Sequence, residues 1–181
     1  FLLALLLSTQ LFISLSARAS ETSDNGASSS PNPWRIVSAP SASLSGISFA
    51  NESVGWAVGQ GGTVLHTEDS GASWSAQTPG TPYDLSAVVA ESTSVAYAVN
   101  NTNLILKTTD GGATWVEQAT TPETWETLYG VASASPGVAV AVGSNGAIIK
   151  TNDGGATWTS RDSGTSNKLF FVSFSDESIP L

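Results

Sequence analysis

Three aspartates recur at nearly equal intervals, and their carboxylates could serve as calcium ligands or as catalytic acids and bases. Asp69 precedes Asp110 by 41 residues, and Asp110 precedes Asp153 by 43. A fixed period of this size indicates repeated structural units, which hold identical residues far apart. Because one active site does not need an aspartate from every unit, we interpret the three as structural. The motif around each is Thr-x-Asp-x-Gly-x-(Ser/Thr)-Trp, found at Thr67–Trp74, Thr108–Trp115 and Thr151–Trp158.

The motif residues have the properties of a hairpin turn. Asp and Thr oxygens can accept hydrogen bonds from backbone N–H groups that lose their ladder partners at a bend. Glycine supplies backbone angles that other residues resist, and the tryptophan begins the next strand, where it should pack against its neighbour. We therefore predict structural roles for Thr67, Asp69, Gly71, Trp74, Thr108, Asp110, Gly112, Trp115, Thr151, Asp153, Gly155 and Trp158.

Few other side chains are candidates for chemistry. The chain contains no cysteine, which excludes thiol catalysis and cysteine metal sites. Its one histidine, His66, stands in the column of the repeat that Lys107 and Lys150 occupy in the other copies. Histidine and lysine in one column are typical of a solvent-facing polar position, so we do not expect His66 to bind a metal.

A glycosidase would need two carboxylates that flank the scissile bond, and nothing in the spacing of the acidic residues pairs them. A sialidase would need several arginines to hold a carboxylate, and the predicted domain offers only Arg35 and Arg161. We therefore predict no catalytic, cofactor or metal site, with an exported glycoside hydrolase or sialidase as the alternative. The carboxylates available to it are Asp84, Glu123, Glu126 and Asp162.

The elements that must position these residues are short β-strands. Each repeat contains four apolar runs, rich in β-branched and aromatic residues and separated by Gly, Asn, Asp and Pro, which is the pattern of strands and turns. Four strands in about 40 residues predict one blade of a β-propeller. We place three complete blades at about 44–77, 85–118 and 128–161, with the motif between the third and fourth strands.

The flanking segments indicate an incomplete ring within residues 34–181. Residues 34–37 are in phase with a fourth strand and would close the last blade, while 169–181 begin a further copy. Three blades cannot form a closed ring, because propellers have about four to eight blades. We therefore expect this partial β-propeller to be a fragment of a longer protein.

The N-terminal segment predicts export. Residues 1–15 are apolar and uncharged but shorter than the ~20 residues that span a membrane, and Ala17-Arg18-Ala19 matches a cleavage site. We interpret 1–19 as a signal peptide that lacks its basic start, with an uncleaved anchor as the alternative. The small polar residues of 20–33 predict a disordered linker. Export implies the periplasm, a lumen or the cell exterior, with no stable membrane span after cleavage.

The repeat resembles known families. The motif is similar to the Asp box, or bacterial-neuraminidase repeat, of sialidases, sortilin-type receptors and some glucanases. The longer pattern in Gly55–Thr67 and Ala141–Gly155 strongly resembles the photosystem II assembly and stability factor family, and the likeness runs from about Trp34 onward. The members of that family are seven-bladed propellers without enzymatic activity in the thylakoid lumen. The resemblance implies a photosystem II reaction-centre subunit as partner.

One feature of that family has no counterpart in this chain. Its members carry an arginine-rich surface patch that contacts the partner. Here arginine occurs only at Arg18, Arg35 and Arg161, and Arg18 lies in the predicted signal.

We expect an all-β, non-catalytic scaffold that binds a protein partner through the loops opposite the Asp boxes. The net charge of −9 makes nucleic acid an unfavourable partner. The alternative is an extracellular receptor or adhesion module, since Asn51 and Asn100 begin glycosylation patterns. The candidate partner-binding residues, which could instead pack as loop anchors, are Gln60, Tyr83, Trp125 and Asn145.

Overall fold

The computed structural model describes residues 42–118, 120–121 and 127–174, with only the backbone described at 120–121. This part of the chain is built from short strands and two single 3₁₀ turns, Gln60–Gly62 and Ser144–Gly146. The strands in chain order are β1 (Leu44–Phe49), β2 (Gly55–Gly59), β3 (Val64–Thr67), β4 (Ser75–Gln77), β5 (Leu85–Ala90), β6 (Ala96–Asn100), β7 (Ile105–Thr108), β8 (Val116–Gln118), β9 (Thr120–Thr121), β10 (Leu128–Ser135), β11 (Val138–Gly143), β12 (Ile148–Thr151) and β13 (Trp158–Arg161).

The strands form three antiparallel meanders, which confirms the predicted propeller blades. The sheet orders are β1-β2-β3-β4 in the first blade, β5-β6-β7-β8 in the second and β10-β11-β12-β13 in the third. The register repeats from blade to blade, since Trp56 pairs with His66, Tyr97 with Lys107 and Val140 with Lys150. Short loops join consecutive strands because Gly and Asn supply the turn conformations.

The blades pack face to face, with their first strands adjacent. β1 lies against β5, and β5 lies against β10. The apolar core is divided between the two interfaces because the second blade buries both of its faces, one against each neighbour. The core between the first and second blades consists of Trp56, Val58, Val64, Leu85, Val88, Ala96, Ala98 and Leu106. The core between the second and third blades consists of Tyr97, Val99, Ile105, Leu128, Val131, Ala139, Ala141, Ile149 and Trp158.

The third blade differs from the expected four strands. Its sheet has a fifth strand, because β9 runs parallel to β13 and pairs Thr120 with Trp158 and Thr121 with Thr159. The period of the repeat does not predict this strand, since two threonines in a connection carry no strand pattern of their own.

The start of the predicted further copy lies along the third blade. The Leu169 N–H donates to the Gly143 carbonyl at 2.8 Å, and the rings of Tyr129 and Phe170 lie 5.0 Å apart. Residues 169–174 carry no assigned strand. The predicted signal (1–19), linker (20–33), closing strand (34–37) and segment 175–181 lie outside the described residues. In the described ranges no helix has the length and apolar character needed to cross a membrane.

Candidate functional site

Each Asp box is a closed set of short hydrogen bonds within its own turn. In the first blade the Thr67 hydroxyl donates to Asp69 Oδ1 at 2.9 Å and accepts from the Gly71 N–H at 2.9 Å. Ser73 donates to the same carboxylate twice, from its N–H to Oδ1 at 2.8 Å and from its hydroxyl to Oδ2 at 2.7 Å. Both aspartate oxygens are therefore engaged by the turn itself.

The other two blades repeat this arrangement. The Thr114 hydroxyl donates to Asp110 Oδ2, and the Thr157 hydroxyl donates to Asp153 Oδ2, each at 2.6 Å. These bonds lower the pKa of Asp69, Asp110 and Asp153 to about 2, mainly through the hydroxyl four residues later and then through the N–H of that residue. Hydrogen bonds to the charged form favour it. The aspartates act as acceptors that hold a bend.

The glycine of the motif gives room to the neighbouring blade. Gly112 has φ +88°, and a Cβ added there would collide with the side-chain amide of Gln77 in the first blade. Gly155 has φ +89°, and its Cβ would lie 2.6 Å from Gln118 Oε1 of the second blade. Glycine is required at both positions for its backbone angle and for the close approach.

In the second and third blades the tryptophan of the motif contacts the preceding blade. Trp158 is fully buried and meets the Tyr97 ring edge-on at 5.8 Å. Trp115 is half-buried and donates from Nε1 to Gln77 Oε1 at 3.3 Å. Trp74, in the first blade, lies edge-on to Phe49 at 6.1 Å and is also half-buried. The motif thus belongs to the interface between blades as much as to its own turn.

The expected solvent-facing position of His66 is wrong. His66 is only 8% exposed and stacks on Trp56 with 4.7 Å between ring centroids. Burial lowers the pKa of His66, although the nearby Glu68 carboxylate opposes the shift. Sequence columns did not reveal this because Lys107 and Lys150, which share the column, are only half-buried in their own blades.

Two further ties between blades were missed by the sequence analysis. Lys107 Nζ donates to the Gly154 carbonyl at 2.6 Å and lies 5.5 Å from the centre of the Tyr97 ring. Glu91 Oε2 accepts from the Gly137 N–H at 3.0 Å and from the Ser133 hydroxyl at 3.2 Å. No local pattern marks either residue, since the partners lie more than 40 positions away along the chain.

Tyr97 is a buried residue of this interface with a strongly shifted pKa. Desolvation raises its pKa to about 12, and the charges of Glu91 and Asp153 add to the effect. The ring is fully buried beneath Lys107 and Trp158. Tyr97 is therefore a neutral packing residue at any ordinary pH.

The described candidate partner-binding residues lie in loops at the end of the blades opposite the Asp boxes. Gln60 and Asn145 occupy the 3₁₀ turns of the first and third blades, and both are exposed. Tyr83 is 54% exposed in the connection between β4 and β5. The Gly61 N–H donates to Asp84 Oδ1 at 2.8 Å, which joins the turn of Gln60 to the connection of Tyr83. Trp125 lies outside the described residues.

Tyr83 borders a groove of about 390 Å³ between the first and second blades. One wall is the connection that follows β4, and the other is formed by β8 with the start of β7. Within the described residues no group of His, Cys, Asp or Glu has the arrangement needed to hold a metal ion. The residues that line the walls of the groove include Pro79, Pro82, Tyr83, Leu104, Trp115 and Glu117.

Of the carboxylates considered for glycoside hydrolysis, the two that are described accept hydrogen bonds from backbone N–H groups of loops. Asp84 Oδ1 accepts from Gly61 N, and Asp162 Oδ1 accepts from Gly164 N, each at 2.8 Å. Glu123 and Glu126 lie outside the described residues, as does Arg35. Asp84 and Asp162 lie in the connections that follow the first and third blades, so the structure assigns them to different blades.

Comparisons with known structures place this fold among propellers. A structure of YCF48 bound to D1 peptide has a TM-score of 0.64 and 28% sequence identity, over 71% of this chain and 43% of that chain. YCF48 from Cyanidioschyzon merolae has a TM-score of 0.60 and 28% identity, over 68% and 41%. An ancestral GH74 enzyme shares the fold alone, with a TM-score of 0.57, 18% identity and coverage of 70% and 21%. The chain therefore spans about two fifths of the YCF48 structures that it resembles.

Sequence comparisons give the family. No curated protein sequence matches the chain. The family model of the photosynthesis system II assembly factor YCF48, however, matches residues 10–178, which is most of the chain and includes all three blades. The repeated register, the Asp boxes and this match agree, and the chain belongs to the YCF48 family of photosystem II assembly factors.

Proposed function

We propose that this chain acts as a non-catalytic scaffold in photosystem II assembly and that its partner is the D1 protein. The observation that carries the proposal is the fold similarity, at 28% identity, to a YCF48 structure bound to D1 peptide. Membership of the same family supports it. A rigid stack of blades suits this role because it presents fixed loops to a partner at little entropic cost.

The loops opposite the Asp boxes are the proposed binding end. Gln60, Tyr83 and Asn145 are exposed there, while the oxygens of the Asp boxes at the other end are engaged in turn bonds. Tyrosine and tryptophan contribute large contact areas to interfaces, which supports Tyr83 as a contact residue, and Trp125 stays a candidate from the sequence alone. Two ties, Asp84 to Gly61 and Thr127 to Asn101, hold these loops together.

Absence of catalysis is part of the proposal. Its support is that the described candidate carboxylates, Asp84 and Asp162, each accept a backbone hydrogen bond that stabilises a loop. In each of them one carboxylate oxygen, Oδ1, is engaged in this way. The lumen of the thylakoid is the proposed compartment, supported by the export pattern of 1–19 and by the family.

The test is binding of D1 peptide to the full-length protein. Fluorescence anisotropy of a labelled D1 peptide should rise to saturation, and a scrambled peptide of the same composition should give no saturable rise. Alanine at both Tyr83 and Gln60 should weaken binding, whereas alanine at exposed Ser135, which lies at the Asp-box end of the third blade, should not. Saturable binding of the scrambled peptide, or none of the D1 peptide, would remove the proposal.

A hydrolysis assay decides between the scaffold and the enzyme. We expect the full-length protein to release no reducing ends from β-glucans and no sialic acid from sialosides. Release that disappears in the Asp84→Asn, Asp162→Asn double variant would instead establish a glycoside hydrolase.

A further inference from the structure

The outer edge of the third blade is covered by another segment of the chain. β13 is the fourth strand of that blade, and β9 pairs with its outer side in parallel orientation. β9 begins two residues after the end of β8, in the connection between the second and third blades. In this fold, therefore, the connection that leaves one blade can add a strand to the outer edge of the next blade.

The corresponding place on the second blade is open in the described part of the chain. β8 ends its sheet with no strand on its outer side. The residues that correspond to β9, two and three positions after β4, are Pro79 and Gly80. Proline has no N–H to donate to a ladder, and glycine is depleted in strands, so this pair does not favour strand pairing. The connection consequently does not pair with β8, and the groove of about 390 Å³ lies between the two.

The groove has the lining of a peptide site. Tyr83 is 54% exposed at its rim, and Trp115 and Leu104 are half-buried in its wall. Aromatic-lined grooves are used to bind extended polypeptide, and open sheet edges are used to add a strand. In the described residues β8 is the last strand of its sheet, so its outer edge can offer backbone N–H and C=O groups to such a segment.

The charge of the groove selects the ligand. Glu117, on β8, is exposed and is the one carboxylate side chain among the lining residues, which include no lysine or arginine. The whole chain carries a net charge of −9. A segment with a basic side chain near the middle would pair with Glu117, whereas an acidic segment would be repelled.

We propose that the groove between the first and second blades binds an extended segment of a partner protein as an added strand on β8, with a basic residue of that segment against Glu117. The segment takes the place that β9 takes on β13, in the same parallel direction. This inference rests on the proposed scaffold function and names where and by what chemistry the partner is held.

This chain contains no cysteine, so one introduced cysteine places a reporter at one site, once any cysteine elsewhere in the full-length protein has been changed to serine. Val116 lies on β8 and is 59% exposed, so Val116→Cys labelled with an environment-sensitive fluorophore reports on this edge. Ala156→Cys, exposed in the Asp-box turn of the third blade, is the matched label control. The full-length protein is titrated with the D1 peptide, with the capped pentapeptide Lys-Val-Lys-Val-Thr and with the same pentapeptide carrying Glu for Lys.

We expect the basic pentapeptide to change the fluorescence at position 116 to saturation, with no response at position 156 or to the acidic pentapeptide. Glu117→Lys should weaken binding about fivefold, within the range for exposed ion pairs. Glu52→Lys, the same charge change at the other end of the blades, should have no effect. Tyr83→Ser should weaken binding too, and its side chain is exposed enough to leave the fold intact.

The outcomes separate this inference from the scaffold proposal. D1 peptide binding in anisotropy, without any response of position 116 to either D1 or the basic pentapeptide, overturns the groove site and leaves the scaffold function standing. A response to the basic pentapeptide without D1 binding supports the groove and removes D1 as the partner. Saturation of the signal by a β-glucan oligosaccharide in place of the peptides would make the groove a carbohydrate site and overturn the inference.

Discussion

A carboxylate in a repeated motif is useful as an acceptor rather than as a reactive group. The Asp69 side chain accepts three hydrogen bonds, from Thr67 and twice from Ser73, and the pKa of about 2 follows from them. An aspartate with so low a pKa is a poor general base, because catalytic pKa values lie near the working pH. At the scale of single residues, the aspartates of the motif therefore stabilise turns as hydrogen-bond acceptors.

His66 is the one histidine of the chain. An ordinary histidine has a pKa of about 6.5 and titrates between pH 7.5 and 5.5. Burial against Trp56 lowers the pKa of His66 in the folded state. The unfolded chain therefore binds a proton at a higher pH than the folded one. Stability is fully present above the unfolded pKa and falls as the pH decreases toward the folded pKa.

We predict that His66→Gln removes this dependence. The urea midpoint of the wild-type protein should decrease between pH 7.5 and 5.5, and that of the variant should change less. The facing charged group, Glu68, is present in both proteins. Equal pH profiles for the two proteins would show that His66 is hydrated in solution.

At the scale of elements, the tryptophan that begins the fourth strand closes the space between blades. Trp158 fills the interface with Tyr97 and is fully buried, while Trp74 is half-buried against Phe49 of its own blade. The same motif position therefore has different energetic weight in different blades. The reason is that the third blade packs against the second blade, whereas the described residues include no blade before the first one.

We predict that Trp158→Ala lowers the free energy of unfolding by about 3–5 kcal/mol, the usual loss for a buried large aromatic side chain. Trp74→Ala should cost clearly less, because part of its ring already contacts solvent. Denaturant titrations followed by far-UV circular dichroism measure both. Equal losses would mean that Trp74 is buried by residues beyond those described.

At the scale of the whole molecule, the blades are joined by single side chains that cross from one sheet to the next. Gln77 donates from Nε2 to the Gly111 carbonyl at 2.8 Å and accepts from Trp115 Nε1. Lys107 reaches the Gly154 carbonyl in the same way at the next interface. In repeat proteins the stability is a sum of unit and interface terms, so these ties determine how cooperatively the blades unfold.

We predict that Gln77→Ala weakens the first interface by about 1–3 kcal/mol, since it removes two hydrogen bonds and leaves the Gly111 carbonyl and the Trp115 N–H without these partners. Hydrogen exchange should become faster in the Asp-box turn of the second blade and in β8, and stay unchanged in β11 and β12. The exposed Gln60→Ala serves as control. Faster exchange in all three blades would show that they open as one unit.

The sequence alone determined the repeat, the strands and the family, because those properties are local. A strand and its turn are encoded by about ten consecutive residues. Three copies therefore show the period in the sequence without any knowledge of the contacts between the blades. The three blades and the YCF48 family are confirmed on that basis. The partner-binding assignments of Gln60, Tyr83, Trp125 and Asn145 stay predictions.

Only the tertiary structure decided what lies between the blades. The burial of His66, the reach of Lys107 and Gln77 to the next Asp box, and the pairing of β9 with β13 all join residues that are remote in sequence or that carry no pattern of their own. The groove beside β8 also depends on tertiary structure. It exists because the connection after β4, which contains Pro79, does not pair with β8, whereas β9, in the connection after β8, pairs with β13. Side-chain contacts across an interface depend on how two sheets pack, and that packing is fixed by the summed shape of both faces rather than by any one segment.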